Sequence, residues 1–236
     1  IQEDQRLKPA RNIRVAIDGP AGAGKSTVAR LVAARLGYVH VDTGAMYRAV
    51  AWHMMQVGIP PTDPARIAER LDGLRLELKP AEGGQQVWLC GRDVTGLIRS
   101  PDISRTVSLY AQIPEVRRFL TGIQKRLAEE GGIVMDGRDI GTKVLPDAEL
   151  KIFLTASVEE RAARRYRELV EAGERVDLEV LKREIAERDR LDRERKESPL
   201  KMAEDAVLID CTSMTVDQVV GRIAGLAWSV IHGADA

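Results

Sequence analysis

The chain has 236 residues, 44% of them hydrophobic, which suits one α/β domain with an insertion and a sizeable core. Lys plus Arg number 36 and Asp plus Glu also 36, so the formal net charge is zero; this excludes the overall basic footprint of a non-specific nucleic-acid binder and makes any basic site local. Two distant cysteines, Cys90 and Cys211, lack zinc or redox spacing, which fits a reducing cytoplasm, and no apolar run approaches the roughly 18 residues of a membrane helix, so no membrane partner is expected; nor is a nucleic-acid partner, and a monomer is the expectation without a sequence feature that fixes it.

Residues 1–12 read as a polar tail. The first buried strand, Ile13–Ile17, runs into Gly19-Pro20-Ala21-Gly22-Ala23-Gly24-Lys25-Ser26-Thr27, which matches G-x-x-x-x-G-K-[ST] and opens an apolar-periodic helix, Lys25–Leu36. Glycines let successive backbone N–H groups turn inward on a phosphate chain, the helix N-terminus adds a positive end, and Lys25 brings a charge to the β- and γ-phosphates. The Ser26 hydroxyl is placed to hold Mg²⁺. These residues predict a bound nucleoside triphosphate but not what it reacts with. A guanine-reading switch would carry N-K-x-D, whereas this chain holds a single Asn, Asn12, ahead of the fold.

The second strand, Tyr38–Val41, leads into Asp42-Thr43-Gly-Ala-Met-Tyr47-Arg48 and the helix Ala45–Gln56. Arg48 lies one turn into that helix, within reach of an anion at the strand edge; by itself it fits an ordinary surface arginine equally well. From Gly58 to about Ser104 the pattern is broken by Pro60, Pro61, Pro64, Pro80 and Pro101, with a hairpin expected from Leu74–Leu78 and Gln86–Cys90 around Glu82-Gly83-Gly84. The third strand, Gly132–Met135, is followed by Asp136-Gly-Arg138-Asp139-Ile-Gly141, two carboxylates and an arginine at the mouth of the crevice. Strands Leu150–Leu154 and Ala206–Ile209 complete a predicted parallel sheet with helices on both faces, whose ligand crevice lies at the carboxyl ends of the strands. Asp18, Asp42, Asp136 and Asp210 each follow such a run, which gathers carboxylates at that edge.

Between the last two strands, residues 159–196 are dense in Arg and Glu, with a break at Glu171-Ala-Gly-Glu174. Composition alone fits two solvated helices held by i,i+4 ion pairs. Spacing says more: Arg188, Asp192 and Arg195 share one helical face, and Arg161, Arg164 and Arg165 form another stripe. Phosphoryl transfer uses such groups to neutralise charge and hold two reactants in line, and arginine helices joined at Gly173 suit a closing lid. His40, His53 and His232 stand singly, out of metal-ligand spacing, and read as core or surface histidines.

The segments Ile17–Ser26, Asp42–Arg48, Asp136–Gly141, Lys151-Ile-Phe-Leu154 and Glu187–Arg195 together resemble the bacterial cytidylate kinases, over Ile13 to about Ile231. The resemblance implies a P-loop NTPase-type α/β fold, a five-stranded parallel sheet flanked by helices. Its core would span 13–57 and 105–236, with an inserted monophosphate-binding subdomain at 58–104 and an arginine-rich lid at about 158–196. It implies ATP as donor, Mg²⁺ as ion, and CMP or dCMP as acceptor. By the same resemblance Arg48, Arg138 and Arg195 hold the acceptor phosphate, Arg188 and Asp192 contact the sugar, and Ser108, Arg117 and Asp139 face the cytosine. Thr43 and Tyr47 join the acceptor site, and Arg161 and Arg165 join the ATP site. The expected catalytic groups are Lys25, Arg138, Arg188 and Arg195, with Asp136 the candidate carboxylate. Asp139 can accept from the cytosine amino group while Arg117 and Ser108 donate to its acceptors; uracil would set an oxygen against Asp139. A P-loop kinase for another small acceptor, such as UMP or shikimate, is the alternative.

Overall fold

The computed structural model describes residues 12–81 and 84–233, so the expected tail lies, apart from Asn12, outside the described residues. The central sheet joins β1 (Arg14–Asp18), β2 (Val39–Asp42), β6 (Ile133–Gly137), β7 (Leu150–Thr155) and β8 (Val207–Asp210) in the order β2-β6-β1-β7-β8, every pairing parallel. Both faces are covered, so these strands read as continuous apolar runs. Within β1, Val15 and Ile17 enter the layer formed with α1 (Lys25–Leu36) and α8 (Val216–His232), while Ala16 faces the opposite core. That second core is built on α2 (Thr43–Gln56), α4 (Pro101–Tyr110) and α5 (Pro114–Leu127), with Met46, Met54 and Leu120 fully buried.

The carboxylates fall where the strands end: Asp18 closes β1, Asp42 closes β2 and Asp136 is the penultimate residue of β6. Asp42 also caps α2, accepting from the Ala45 N–H at 2.9 Å, and this starts the helix two residues earlier than its apolar periodicity suggests.

The segment after α2 holds α3 (Pro64–Leu71) and a three-stranded antiparallel sheet of β3 (Leu76–Ala81), β4 (Gly84–Leu89) and β5 (Arg92–Asp93). The hairpin exists but is displaced from its expected bounds: Leu76 pairs with Leu89 and Ala81 with Gly84, and the expected turn residues Glu82 and Gly83 lie outside the described residues. Pro80, taken from sequence as a break, is tolerated because β3 is an edge strand. Cys90 leaves the hairpin with φ 48° in the turn to β5. The arginine-rich stretch forms α6 (Val158–Glu171) and α7 (Leu178–Glu194), the first capped by Ser157 and the second by Asp177. No helix among the described residues is long and apolar enough to cross a membrane.

Candidate active site

The loop between β1 and α1 depends on Gly19, whose φ is 149°; a Cβ there would stand 1.9 Å from the Leu154 carbonyl oxygen. Lys25 is buried and its Nζ donates to the Pro20 carbonyl at 2.7 Å. Burial, and next the nearby Arg138 guanidinium, push its pKa down to about 7. Ser26 Oγ donates to Asp136 Oδ2 at 2.8 Å, and His40 Nε2 lies 2.8 Å from Asp136 Oδ1. His40, read from sequence as core or surface, is thus half-buried against a carboxylate of the site.

The arginine stripe of α6 divides its work. Arg161 is buried; Nε donates to the Ala156 carbonyl, Nη1 to the Ala21 carbonyl at 2.9 Å and to Asp189 Oδ1, and Nη2 to Asp189 Oδ2 at 2.6 Å. It braces the loop from behind against α7. Arg165 turns outward, pairs with Glu168 at 3.1 Å and does not line the cavity. Arg164 does: Nε donates to Glu160, and Nη2 to the Cys211 carbonyl at 2.9 Å, while the Cys211 thiol lies 3.5 Å from the Ala23 carbonyl of the loop. The same spacing holds the clue to Arg164, but choosing between i+3 and i+4 requires knowing how α6 packs on the loop.

Beside the loop opens a cavity of about 280 Å³, walled by the loop, α2, α4, α5, the end of β6, α6 and α7. Seven cationic and five acidic side chains line it, an excess suited to anions. Thr43, buried, donates its hydroxyl to the Asp136 carbonyl at 2.7 Å, an approach open only because Gly137 has no side chain: a Cβ there would sit 2.7 Å from Thr43 Oγ1. Arg48 Nη2 donates to Asp42 Oδ2 at 3.3 Å. Arg138 Nε donates to Asp192 Oδ2 at 2.8 Å, and Arg195 lies 3.7 Å from Asp192 and 3.8 Å from Asp139. The deepest pair is Arg117 and Asp139, both about 5% exposed, with Nη2 to Oδ2 at 2.6 Å and Nη1 given to the Ala111 carbonyl. The Arg117 guanidinium stands over the Tyr47 ring, 5.3 Å from its centroid, and burial pushes the Tyr47 hydroxyl up to about 12. Ser108, buried on α4, lines the same wall.

Arg188 is the exception among these cations. Its Nε is buried with no hydrogen-bond partner, and burial, followed by the Arg138 charge, pushes it down to about 10. Arg117 Nε and Arg195 Nη2 are likewise without hydrogen-bond partners. A cavity edged by unsatisfied guanidinium donors favours an oxygen-rich anion. Of the residues singled out from sequence, the structure gathers Lys25, Thr43, Tyr47, Arg48, Ser108, Arg117, Asp136, Arg138, Asp139, Arg188, Asp192 and Arg195 around this cavity, with Arg161 behind it and Arg165 outside it. Asp189, which holds Arg161, gives no sequence signal, and Asp18, which holds the loop after Arg138, is read from sequence only as one of the carboxylates at the sheet edge.

The sequence model of the cytidylate kinase family matches residues 15–228. A cytidylate kinase from Geobacillus sp. (strain WCH70) is 54% identical over 212 residues, 90% of this chain and 95% of that protein. One from Ligilactobacillus salivarius (strain UCC118) is 53% identical over 216 residues, 92% and 96% of the two chains. Among solved structures, a shikimate kinase from Acinetobacter baumannii in complex with shikimate is 19% identical, with a TM-score of 0.46 over 92% of this chain and 94% of that one.

Proposed function

Because the chain belongs to the cytidylate kinase family, we propose that it transfers the γ-phosphoryl group of ATP directly and in line to the phosphate of CMP or dCMP, yielding CDP or dCDP. The observation that carries this reading is the buried Arg117–Asp139 pair in the wall of a cation-rich cavity beside the phosphate loop. Asp139 accepts from the cytosine amino group and Arg117 and Ser108 donate to the ring acceptors, a pattern that uracil leaves unpaired. Arg48, Arg138 and Arg195 take the acceptor phosphate, and Arg188 and Asp192 the sugar. Arg188, whose Nε is unsatisfied, also stands close enough to Arg138 for the two charges to oppose each other, and a phosphoryl group passing between the nucleotides relieves both. The Gly19–Ser26 amides and Lys25 hold the triphosphate.

A divalent cation fits the oxygen pair formed by the Ser26 hydroxyl and the Asp136 carboxylate, 2.8 Å apart, hard donors of the kind Mg²⁺ prefers. Bound with the nucleotide, Mg²⁺ neutralises phosphate charge. Ser26 and Asp136 would hold it, and His40, on the other oxygen of Asp136, keeps that carboxylate facing the loop. Since the acceptor oxygen already belongs to a phosphate, alignment and charge neutralisation do most of what is needed. Residues 58–104 serve as the acceptor-side subdomain and 158–196 as a lid, acting in a cytoplasmic monomer.

A panel of CMP, dCMP, UMP and shikimate with MgATP tests the reading, with CMP and dCMP expected to turn over well ahead of the rest. Comparable use of UMP would sink the cytosine assignment, and loss of all dependence on added Mg²⁺ would sink the metal assignment.

A further inference from the structure

Asp18 is a buried carboxylate that neither the phosphate chain nor the acceptor pocket uses. It ends β1, immediately before Gly19, is 5% exposed and does not line the cavity. Its side chain crosses to the segment after β6, where Oδ1 accepts from the Ile140 N–H at 2.8 Å and Oδ2 from the Gly141 N–H at 2.7 Å. Those amides are the first two of a π-helical turn, Ile140–Val144, whose N-cap residue is Asp139.

An aspartate at an N-cap normally turns its carboxylate onto the free amides of its own helix. Asp42, Asp63 and Asp177 do so in this chain, accepting from Ala45, Arg66 and Val180. Asp139 does not: it makes no capping bond, and its oxygens go to Arg117 at 2.6 Å and towards Arg195 at 3.8 Å. Two buried amides would then lack partners, at a cost comparable to lost hydrogen bonds. Asp18 satisfies both from a different strand.

We propose that Asp18 is a positioning residue for base selection: by capping the turn at Ile140 and Gly141 in place of Asp139, it leaves the Asp139 carboxylate free to face the acceptor base. The inference rests on the reading of Asp139 as the cytosine contact. It also ties the two halves of the site together, because the residue that fixes the base-reading turn is the one from which the phosphate loop departs.

Two further observations fit this role. The contact is tight, since a Cβ on Gly141 would meet the Lys151 side chain at 3.2 Å and Asp18 Oδ2 at 3.4 Å. The carboxylate is also costly where it stands: burial outweighs the two amide bonds and, with the Asp139 charge behind them, lifts Asp18 to about 6. A residue kept only to fill space would carry no such penalty.

The test is a kinetic comparison of wild type, Asp18→Asn and Gly141→Ala, with CMP, UMP and ATP each varied. Asn keeps the shape but offers one oxygen and sets an NH₂ against the other amide. The expected result is a rise of about tenfold or more in KM for CMP, a comparable fall in the preference for CMP over UMP, and a KM for ATP within about twofold, as loss of one charge-assisted bond implies. Gly141→Ala, which crowds the same contact, moves the same quantities less far and decides the question alone if Asp18→Asn does not fold. In an Asp139→Asn background, Asp18→Asn should cause no further loss of selectivity, a coupling that a merely structural role would not show. Unchanged selectivity, equal losses for ATP and CMP, or additive losses in the double variant would each overturn the inference. A wild-type protein with no preference for CMP would instead overturn the function on which it rests.

Discussion

The loop proposed to hold the donor and the cavity proposed to hold the acceptor present their charged groups by opposite means. The donor loop is local: six consecutive residues between one strand and one helix, with Lys25, the first residue of that helix, folded onto a carbonyl five residues back. The acceptor pocket is assembled at long range, its deepest pair joining α5 to the end of β6 across 22 residues and its Arg138–Asp192 pair spanning 54. A local loop carries its geometry in backbone dihedrals and tolerates change around it. A pocket of buried ion pairs is only as good as its weakest partner, since removing one side strands the other charge.

Three experiments sharpen that contrast. Lys25→Ala should have the largest effect, a fall of about 10²–10³ in kcat, because it removes the charge proposed to meet the transferring group; near-normal turnover would mean that the backbone alone does the work. Asp139→Asn should be next. It leaves the Arg117 charge buried without its anion, a loss of about 3–5 kcal/mol shared between folding and CMP binding. Its mark should be a lowered melting temperature and a CMP KM raised far more than that for ATP; equal effects on both would show that the two halves are not separable.

The smallest effect is one of pH. Lys25, lowered to about 7 chiefly by burial, is expected to lose its proton across the neutral range, and only its protonated form adds a charge to the phosphate-binding amides. Affinity for MgATP should therefore be full below that value and fall above it, by at most about tenfold per pH unit for a single proton. Calorimetry across neutrality measures it, and a flat profile would show that the ammonium stays charged without ligand.

How much of this was legible in the sequence follows the same division. The strands were found within a residue or two because burial on both faces leaves a continuous apolar run, and the loop was found because everything it needs is consecutive. The face shared by Arg188, Asp192 and Arg195 could be read from helical spacing alone, and all three line the cavity. What spacing does not reveal is partnership. Arg165 and Arg164 differ by one position in a stripe, yet the packing of α6 sends one outward to Glu168 and the other to the Cys211 carbonyl at the cavity wall. His40 gave no signal because its partner, Asp136, is 96 residues away, and Asp189 gave none because Arg161 occupies it. The hairpin register slipped because Pro80 reads as an interruption until its strand is known to be an edge.

The two free cysteines give the molecule an internal clock. Cys90 is exposed, whereas Cys211 is 2% exposed with its sulfur against the Ala23 carbonyl of the phosphate loop. An alkylating reagent reaches the first directly and the second only when that corner of the structure opens. The ratio of the two labelling rates thus reports loop opening in a single tube, corrected for reagent strength, and any ligand that binds the closed loop slows only one of them.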